Sequence, residues 1–600
     1  MDLAAERAYP TPFANSSLLP ILLLSLMQQQ HTPSNTATTS KDEYDFIIVG
    51  AGSAGSVVAS RLSEVPCVTV LLLEAGKPPP QLTEVPGLFQ SFWDSDISWN
   101  YKTTPQKHTA MDMVDAQIPW PSGKTLGGTS TINGMLYVRG TYHNYDEWAR
   151  QGAIGWSYSD VKPYFLKAED NRDSEYVANG YHVIDGPLTV SKMRFSSVLK
   201  EPIFDAARQI GFEKGDPNSH NQTGLYDAEG NIRNGQRCST AKAYLVPAEN
   251  RENLDILPNA FVQKVVIRNK TADGVIFENG GHIYFVRAKR EVILSAGTVN
   301  SAQLLMLSGI GPKKHLDQFN IPVLADLPVG ENLQDHAGPA VYYTLSPNFK
   351  EKESSIHEAM EDYIWHREGP LTTTLQLPMF YLPIPPNPIS DFPDLQLYFG
   401  AVPTPKPEDS PQFKPGLVEK YFGAYENSTL LTCLAHNLQP KSRGTVKLQS
   451  DDPYDAPLID PNYFDDPEDI RVTVEGLKIC KKLVLSEPLK KYGAGVISTP
   501  WPGCEEYFGN DDLYFKCLVR SSAFTLNHQV GTAKMGDPND PTTVVDPTLK
   551  VKGIAGLRVV DASVMPLVPS ANTNVPTIMV ADKASDIIKS TLDCYMQTPV

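Results

Sequence analysis

Residues 44–76, with the sequence YDFIIVGAGSAGSVVASRLSEVPCVTVLLLEAG, constrain the fold of this chain more than any other stretch. A short apolar run predicts a strand, and Gly50, Gly52 and Gly55 follow it in G-x-G-x-x-G spacing. Gly50 permits a tight turn, Gly52 lets the backbone approach a pyrophosphate, and Gly55 lets the next helix pack against the strand. A second apolar run ends at Glu74, whose carboxylate can accept hydrogen bonds from ribose hydroxyls. This order of strand, turn, helix, strand and acid predicts an adenine-dinucleotide site.

The predicted dinucleotide is NAD or FAD. Its pyrophosphate would lie at the helix N-terminus, beside Ser53 and Ala54, where unpaired N–H groups and the helix dipole favour anions. The carboxylate of Glu74, followed by Ala75, argues against a ribose 2′-phosphate and hence against NADP. The motif alone does not choose between NAD and FAD. An ordinary βαβ crossover without a ligand is the alternative interpretation of the same pattern.

The composition is that of a globular protein with a large core. Of the 600 residues 41% are hydrophobic, enough for two or more domains. The net charge of −17 opposes binding to nucleic acid or to anionic membrane surfaces. The seven cysteines are too few and too scattered to predict a disulfide scaffold, and no metal-ligand spacing occurs. Cys504 and Cys517 could close a loop in an oxidising compartment or remain two thiols.

Residues 1–40 predict an extension ahead of the fold. Within it, SSLLPILLLSLM at residues 16–27 has an apolar core too short to span a bilayer but suitable for a secretory signal. A disordered extension is the alternative, because no A-x-A cleavage site follows. We therefore expect a secreted protein without stable membrane insertion. On that route it would be a glycoprotein, with sequons at Asn15, Asn221, Asn269 and Asn427.

Later segments extend the nucleotide-binding pattern along the chain. Strand-like runs at residues 253–267, 291–297 and 557–561 alternate with helical periodicity at residues 301–307 and 577–591. They predict one doubly wound sheet that is assembled from distant segments.

The stretches between these segments predict a second domain of different character. Residues 151–230 and 346–520 alternate strand-like runs with proline-rich and aromatic segments, which is typical of an antiparallel sheet. The expected fold class is thus α/β with α+β: a Rossmann-like domain of residues 41–150, 231–345 and 521–600, interleaved with a mainly antiparallel substrate domain. A ligand cleft would lie between the two.

Four ordered blocks resemble the glucose-methanol-choline (GMC) oxidoreductases, in particular their animal FAD-dependent glucose dehydrogenase-like branch. The first is the glycine motif described above. The others are WPSGKTLGGTSTINGMLYVRG at residues 120–140, GTVNSAQLLMLSGIGP at residues 297–312, and the pair NHQVGTAKMG at residues 527–536 with DASVMPLVPSANTNVPTIM at residues 561–579. The resemblance covers nearly everything after residue 43.

The resemblance implies FAD as the cofactor. The 127–130 loop offers backbone N–H groups and two hydroxyls, and in the family it lines the isoalloxazine and pyrophosphate; without that context it is a polar turn. Val262 is expected to contact the adenine through its backbone, with Val265 as the alternative. The cofactor-binding residues implied beyond the first motif are Gly127, Gly128, Thr129, Ser130, Asn133, Gly134, Met135, Leu136, Val262, Ala296, Gly297, Asp561, Ala562, Asn572 and Val575.

The resemblance also implies a catalytic pair. Alcohol oxidation removes a proton from oxygen and a hydride from carbon, so it needs a base that works near neutral pH. His528 is the implied base, since histidine titrates in this range. Asn572 matches the second family position, where it could donate a hydrogen bond to the substrate oxygen but could not act as a base. Outside the family pattern, His528 would be a structural histidine and Asn572 a turn cap.

We therefore expect an FAD-dependent dehydrogenase that takes hydride from a CH–OH group of a sugar or other alcohol. The electrons would pass to a quinone-like or other non-oxygen acceptor. An oxidase that produces H₂O₂ and a non-redox flavin-dependent lyase share the same motifs. A non-catalytic binding module is a further alternative, against which the presence of both His528 and Asn572 argues. Specificity should lie within residues 346–520, whose sequence does not indicate the substrate.

Overall fold

The computed structural model of the protein describes residues 16–350, 355–374, 378–387, 389 and 391–594. The first sequon, at Asn15, lies outside these residues. The α-helices are α1 (Leu19–Leu26), α2 (Ser53–Leu62), α3 (Tyr142–Arg150), α4 (Tyr158–Ala168), α5 (Ser174–Ala178), α6 (Lys200–Arg208), α7 (Val246–Ala248), α8 (Gly297–Leu307), α9 (Lys313–Leu316), α10 (Ile356–His366), α11 (Leu417–Phe422), α12 (Pro467–Val484), α13 (Glu487–Lys490), α14 (Asp511–Ser522) and α15 (Asn574–Lys589).

The strands alternate with these helices along the chain. They are β1 (Glu43–Val49), β2 (Val70–Leu73), β3 (Tyr101–Lys102), β4 (Pro119–Trp120), β5 (Glu169–Asn171), β6 (Leu188–Lys192), β7 (Gly224–Tyr226), β8 (Glu229–Gly230), β9 (Ile232–Arg233), β10 (Gln236–Arg237), β11 (Leu254–Leu257), β12 (Ala260–Arg268), β13 (Thr271–Asn279), β14 (His282–Leu294), β15 (Ala337–Gly338), β16 (Ala340–Thr344), β17 (Met379–Leu382), β18 (Leu395–Pro403), β19 (Thr429–Asn437), β20 (Thr445–Lys447), β21 (Leu458–Asp460), β22 (Gly495–Val496), β23 (Phe524–Thr525) and β24 (Leu557–Val559).

One sheet carries the glycine motif. Its order is β11-β2-β1-β14-β13-β12, and β24 also pairs with β14. The strands β11, β2, β1, β14 and β24 are parallel, whereas β12 and β13 are antiparallel. All four residues of β2 are buried, as expected for a parallel strand covered on both faces. Helices α2 and α15 pack together, and Arg61 of α2 donates to Asp582 of α15 at 2.8 Å. The predicted doubly wound sheet assembled from distant segments is confirmed.

A second, antiparallel sheet has the order β22-β16-β19-β18-β17-β7. Its longest pair joins β18 to β19, with Leu395 opposite Asn437 and Pro403 opposite Thr429. Strand β16 belongs to this sheet although it lies inside residues 231–345, which the sequence assigned to the other domain. Strand β20 pairs with β21 in a separate two-stranded sheet. The antiparallel sheet therefore receives strands from both stretches of the predicted substrate domain and one from outside them.

Disulfides join six of the seven cysteines, all of which lie in the described residues. The pairs are Cys67–Cys594, Cys433–Cys480 and Cys504–Cys517, with Cα–Cα distances of 6.4, 6.1 and 5.9 Å. Cys238 is buried and free. The expectation that scattered cysteines form no framework is wrong, because the fold brings together partners as far as 527 residues apart in sequence.

The apolar N-terminal run forms helix α1, which packs against the rest of the protein. Leu22 and Leu26 are buried in a cluster with Val85, Leu88 and Met360. Leu24, on the other side of α1, is 65% exposed. Removal of this helix would therefore expose an apolar surface. Within the part of the chain that is described, no helix has the length and apolar character needed to cross a membrane.

Candidate active site

A cavity of about 440 Å³ lies where the carboxyl ends of the parallel strands approach the antiparallel sheet. Val49, Leu73 and Ser295 line it from the ends of β1, β2 and β14, and Tyr398 and Leu434 line it from β18 and β19. Ligands of open parallel sheets bind at this edge of the sheet. The fold thus places one large cavity between its two main sheets.

Most residues predicted for the site line this cavity. They are Gly50, Gly52, Ser53, Ala54, Glu74, Ala75, Gly128, Thr129, Asn133, Gly134, Met135, Leu136, Val262, Ala296, Gly297, His528, Asp561, Ala562 and Asn572. Gly55, Gly127, Ser130 and Val575 are not among the lining residues. A Cβ on Gly55 would come 1.8 Å from the Gly50 carbonyl oxygen, so Gly55 acts by letting α2 approach the turn.

The phosphate end of the cavity is built from two glycine backbones and two helix N-termini. A Cβ on Gly128 would lie 2.6 Å from the Cα of Gly52, so no side chain fits between these segments. Helix α2 begins at Ser53 and α15 begins at Asn574, each without a side-chain cap. The N–H groups of an uncapped first turn are available to an anion. This cradle fits the pyrophosphate of FAD.

Glu74 lies at the end of the cavity that is predicted to hold the adenosine. Its carboxylate accepts hydrogen bonds from the N–H groups of Ala51 and Gly76, both at 2.8 Å. Burial raises the pKa of Glu74 to about 7, and these two donors oppose the rise. Additional donors from a ribose diol would favour the ionised carboxylate. The rings of Trp99 and Phe261, 6.2 Å apart, line the same cavity. Neither residue belongs to a motif that could have identified it from the sequence.

The wall predicted to hold the flavin is fixed by a buried arginine that the motifs did not identify. Arg237 Nη1 donates to the carbonyl oxygen of Asn133 at 2.8 Å and to that of Ser130 at 3.1 Å. Arg237 is fully buried, and burial lowers its pKa to about 10. Asp561 fixes the facing wall, because its carboxylate accepts from the Gly297 N–H at 2.9 Å and from Ser563 at 2.8 Å.

The predicted catalytic pair is in direct contact. His528 Nε2 and Asn572 Nδ2 are 2.9 Å apart, and both side chains line the cavity. The other ring nitrogen of His528, Nδ1, lies 2.9 Å from Nδ1 of His336, whose Nε2 lies 3.2 Å from the carbonyl oxygen of Leu438. His336, the last residue of the segment VGENLQDH at residues 329–336, was not predicted as a site residue.

This chain of contacts assigns the tautomer of His528. A carbonyl oxygen only accepts, so His336 Nε2 carries a proton that it donates to Leu438. Burial lowers the pKa of His336 to about 4, so the ring is neutral and its Nδ1 is an acceptor. His528 Nδ1–H therefore donates to His336, which leaves Nε2 of His528 unprotonated. The basic nitrogen of His528 thus points at Asn572 and the cavity.

Burial keeps the whole histidine cluster neutral. It holds the pKa of His528 well below its usual range, with His336 and His436 adding to the effect. Asp335 accepts from the backbone N–H of His528 at 2.7 Å and from the hydroxyls of Thr525 and Tyr463. These three donors hold the segment that carries His528 in place. No group of histidine, cysteine and carboxylate side chains in the described ranges could hold a metal ion.

Two polar atoms at this end of the cavity have no hydrogen-bond partner within the described structure: Asn572 Oδ1 and the Tyr398 hydroxyl. Burial raises the pKa of Tyr398 far above its usual value, and the neighbouring Asn572 amide opposes the rise. Buried polar groups are nearly always satisfied, so two unpaired atoms beside His528 indicate a place for a polar ligand group. Tyr398 is a site residue that the sequence did not reveal.

Comparisons with known proteins show the family of the chain. Models of the GMC oxidoreductase family match residues 44–338 and 440–581. The chain is 41% identical to a Drosophila melanogaster protein named glucose dehydrogenase (FAD, quinone), over 91% of this chain and 87% of that protein. It is 37% identical to ecdysone oxidase from Bombyx mori, over 93% of this chain and 83% of that protein.

A solved structure of a formate oxidase variant from Aspergillus oryzae, concerned with FAD modification, has the same fold. The TM-score is 0.79 at 28% identity, over 92% of this chain and 99% of the other. The family and the cofactor that the sequence motifs indicated are both confirmed. The chain therefore belongs to the GMC oxidoreductase family and is an FAD-dependent oxidoreductase.

Proposed function

We propose that the protein is a dehydrogenase that oxidises a CH–OH group of a sugar or other alcohol and passes the electrons to a quinone-like or other non-oxygen acceptor. The contact between His528 Nε2 and Asn572 Nδ2 at the cavity wall carries this proposal. An unprotonated imidazole nitrogen beside an amide donor is suited to take a proton from an alcohol that the amide holds.

Each residue has a distinct part in the reaction. FAD, when bound, supplies the hydride acceptor at flavin N5. His528 accepts the hydroxyl proton at Nε2 while its Nδ1–H stays bonded to His336. Asn572 can donate from Nδ2 to the substrate oxygen, so that the carbon bearing the hydride is held in one orientation.

The test is anaerobic reduction of the bound flavin in His528→Ala. We expect the variant to keep its yellow flavin but to lose about 10²- to 10⁴-fold in alcohol-dependent reduction, because the base is gone. Asn572→Ala should lose less, since one oriented hydrogen bond disappears. The exposed His282, replaced by alanine, is the matched control. Reduction at the wild-type rate in His528→Ala would rule out its role as base.

The electron acceptor is decided by a separate experiment. The Drosophila relative carries quinone in its name, whereas the Bombyx and Aspergillus relatives are oxidases. We expect faster turnover with a benzoquinone than with air-saturated buffer, and little H₂O₂. Stoichiometric peroxide at equal or higher rates would identify an oxidase instead. Turnover without net flavin reduction under anaerobic conditions would identify a lyase.

We further propose that the chain enters the secretory route and is glycosylated. Three disulfides support an oxidising compartment. The sequon residues Asn221, Asn269 and Asn427 are all exposed. Expression in cultured animal cells should deliver the protein to the medium, with a mobility shift after glycosidase treatment. Retention in the cytosol, with free thiols, would contradict this proposal. N-terminal sequencing of the product decides whether α1 is retained.

A further inference from the structure

Arg237, behind the wall that is predicted to hold the flavin, differs from the other large buried cations of the described protein. Three arginines are among its largest fully buried side chains: Arg139, Arg237 and Arg558. Arg139 forms an ion pair with Glu169, and Arg558 forms one with Glu291. A buried charge is ordinarily paired in this way, because an unpaired one loses its hydration without compensation.

The hydrogen bonds of Arg237 go to uncharged oxygen atoms and leave its positive charge uncompensated. Nε donates to the carbonyl oxygen of Thr83 at 2.9 Å, and Nη1 donates to the carbonyl oxygens of Ser130 and Asn133 and to Oδ1 of Asn133. Nη2 is buried and has no hydrogen-bond partner within the described residues. Carbonyl and amide oxygens carry only partial charges, so a net positive charge remains in the interior.

The carboxylates around Arg237 are engaged elsewhere. Glu84 acts on Arg237 electrostatically, but it accepts from Nζ of Lys242 at 2.6 Å, and the side chains of this ion pair are both 2% exposed. The two carboxylates that line the cavity, Glu74 and Asp561, accept from backbone N–H groups of other segments. Arg237, Lys242 and Glu84 together therefore carry one net positive charge. Uncompensated buried charges are concentrated at functional sites.

The backbone of Ser130 and Asn133 connects Arg237 to the cavity. Asn133 lines the cavity together with Gly134 and Met135, in the wall that is predicted to hold the flavin. Arg237 is not one of the lining residues, but its guanidinium is bonded to the carbonyl oxygens behind this wall. A charge in this place acts through buried backbone, where it is screened less than it would be in water.

We propose that Arg237 raises the reduction potential of the bound flavin by stabilising the negative charge that reduction leaves on it. Hydride transfer breaks a C–H bond of the alcohol and forms an N–H bond at flavin N5, while the hydroxyl proton goes to His528. The electron pair of the hydride gives the neutral isoalloxazine one negative charge, which a cation behind the wall favours. Arg237 acts through the wall, so it is a positioning residue. This role goes beyond the proposed function, because the potential is measured without substrate.

The test is the two-electron reduction potential of the FAD-loaded protein, measured anaerobically against a redox dye at about pH 6, where a buried lysine is ionised more completely than at higher pH. Arg237→Gln keeps an amide donor but removes the charge. We expect it to lower the equilibrium constant for flavin reduction about tenfold or more, which corresponds to about 30 mV for two electrons. Arg237→Lys keeps the charge and should stay within about threefold of the wild-type constant.

Glu84→Gln tests the same charge balance in the opposite direction with Arg237 intact. It removes the carboxylate that is paired with Lys242, so the flavin should become easier to reduce by about tenfold. The exposed Glu252, replaced by glutamine, is the matched control. Unchanged potentials, shifts of Arg237→Gln and Glu84→Gln in the same direction, or Arg237→Lys as low as Arg237→Gln would overturn this role. If Arg237→Gln does not retain FAD, the sign of the shift in Glu84→Gln decides. None of these results bears on the proposed function, which the alcohol-dependent reduction in His528→Ala tests.

Discussion

Replacement of His336 by phenylalanine tests the assignment of the proton on His528. The side chain is fully buried, so an aromatic ring of similar size keeps the packing but removes the acceptor for His528 Nδ1–H. The proton is then no longer held at Nδ1. It can move to Nε2 and be donated to Asn572 once that amide turns over, so that Oδ1, which has no partner in the described structure, takes the place of Nδ2 beside Nε2. In that tautomer His528 presents a donor to the substrate hydroxyl and cannot accept its proton.

The expected loss follows from the one hydrogen bond that disappears. A buried donor left without an acceptor costs about 1–3 kcal/mol. If this cost raises the free energy of the reactive tautomer, which carries its proton on Nδ1 of His528, the reaction slows by about 5- to 150-fold. We therefore expect flavin reduction to slow by about ten- to a hundredfold, with little change in substrate affinity. His336→Asn should recover most of the rate, because its amide oxygen can replace Nδ1 as an acceptor.

Anaerobic stopped-flow over a range of pH measures this effect, with ¹⁵N-histidine NMR shifts of His528 as the direct readout of the tautomer. His436→Phe is the matched control. His436 is equally buried, but neither of its ring nitrogens has a hydrogen-bond partner in the described residues, so its loss should leave the rate within about threefold. Wild-type rates and an unchanged pH profile in His336→Phe would refute the tautomer argument.

Three further predictions concern stability and cofactor retention. Burial raises the folded-state pKa of Glu229 from 4.5 to about 8, so its contribution to stability is present below pH 4.5 and is lost as the pH rises through 8. Thermal unfolding should therefore show a stability decline across this range that Glu229→Gln reduces; an identical pH profile would contradict it. Gly128→Ala places a Cβ 2.6 Å from Gly52 and should lower the flavin-to-protein absorbance ratio of the purified protein; full occupancy would contradict the close approach. Cys504→Ser opens the 13-residue loop to Cys517 and should destabilise the protein by about 3 kcal/mol without changing flavin reduction, whereas an unchanged melting temperature would show that the bridge contributes nothing.

The part of the site that the sequence predicts best is the part built from local contacts. Gly52 and Glu74 act within one strand–helix–strand unit, so their spacing alone indicated their roles. The contact between His336 and His528 joins residues 192 positions apart, and a single sequence contains no local pattern for such a pair. Tyr398 lies in a strand whose apolar run predicted burial. That run could not indicate that the Tyr398 hydroxyl would lie at a cavity wall without a hydrogen-bond partner.

The disulfide pairing could not be predicted from the sequence for the same reason. Cys67 and Cys594 come together because α15 packs on α2, which is a property of the finished fold. Only Cys504 and Cys517 were close enough in sequence to suggest a bridge, and there the spacing was equally compatible with free thiols.

Strand β24 and helix α15 have a consequence for the biosynthesis of the protein. The first glycines of the cofactor cradle leave the ribosome long before β24, Asp561 and Asn572, which follow them much later in the chain. A nascent chain therefore carries an open-edged sheet and an incomplete cofactor cradle until these segments have been synthesised. Flavin binding has to wait for them, and a chain truncated before residue 557 would be colourless even though its dinucleotide motif is intact.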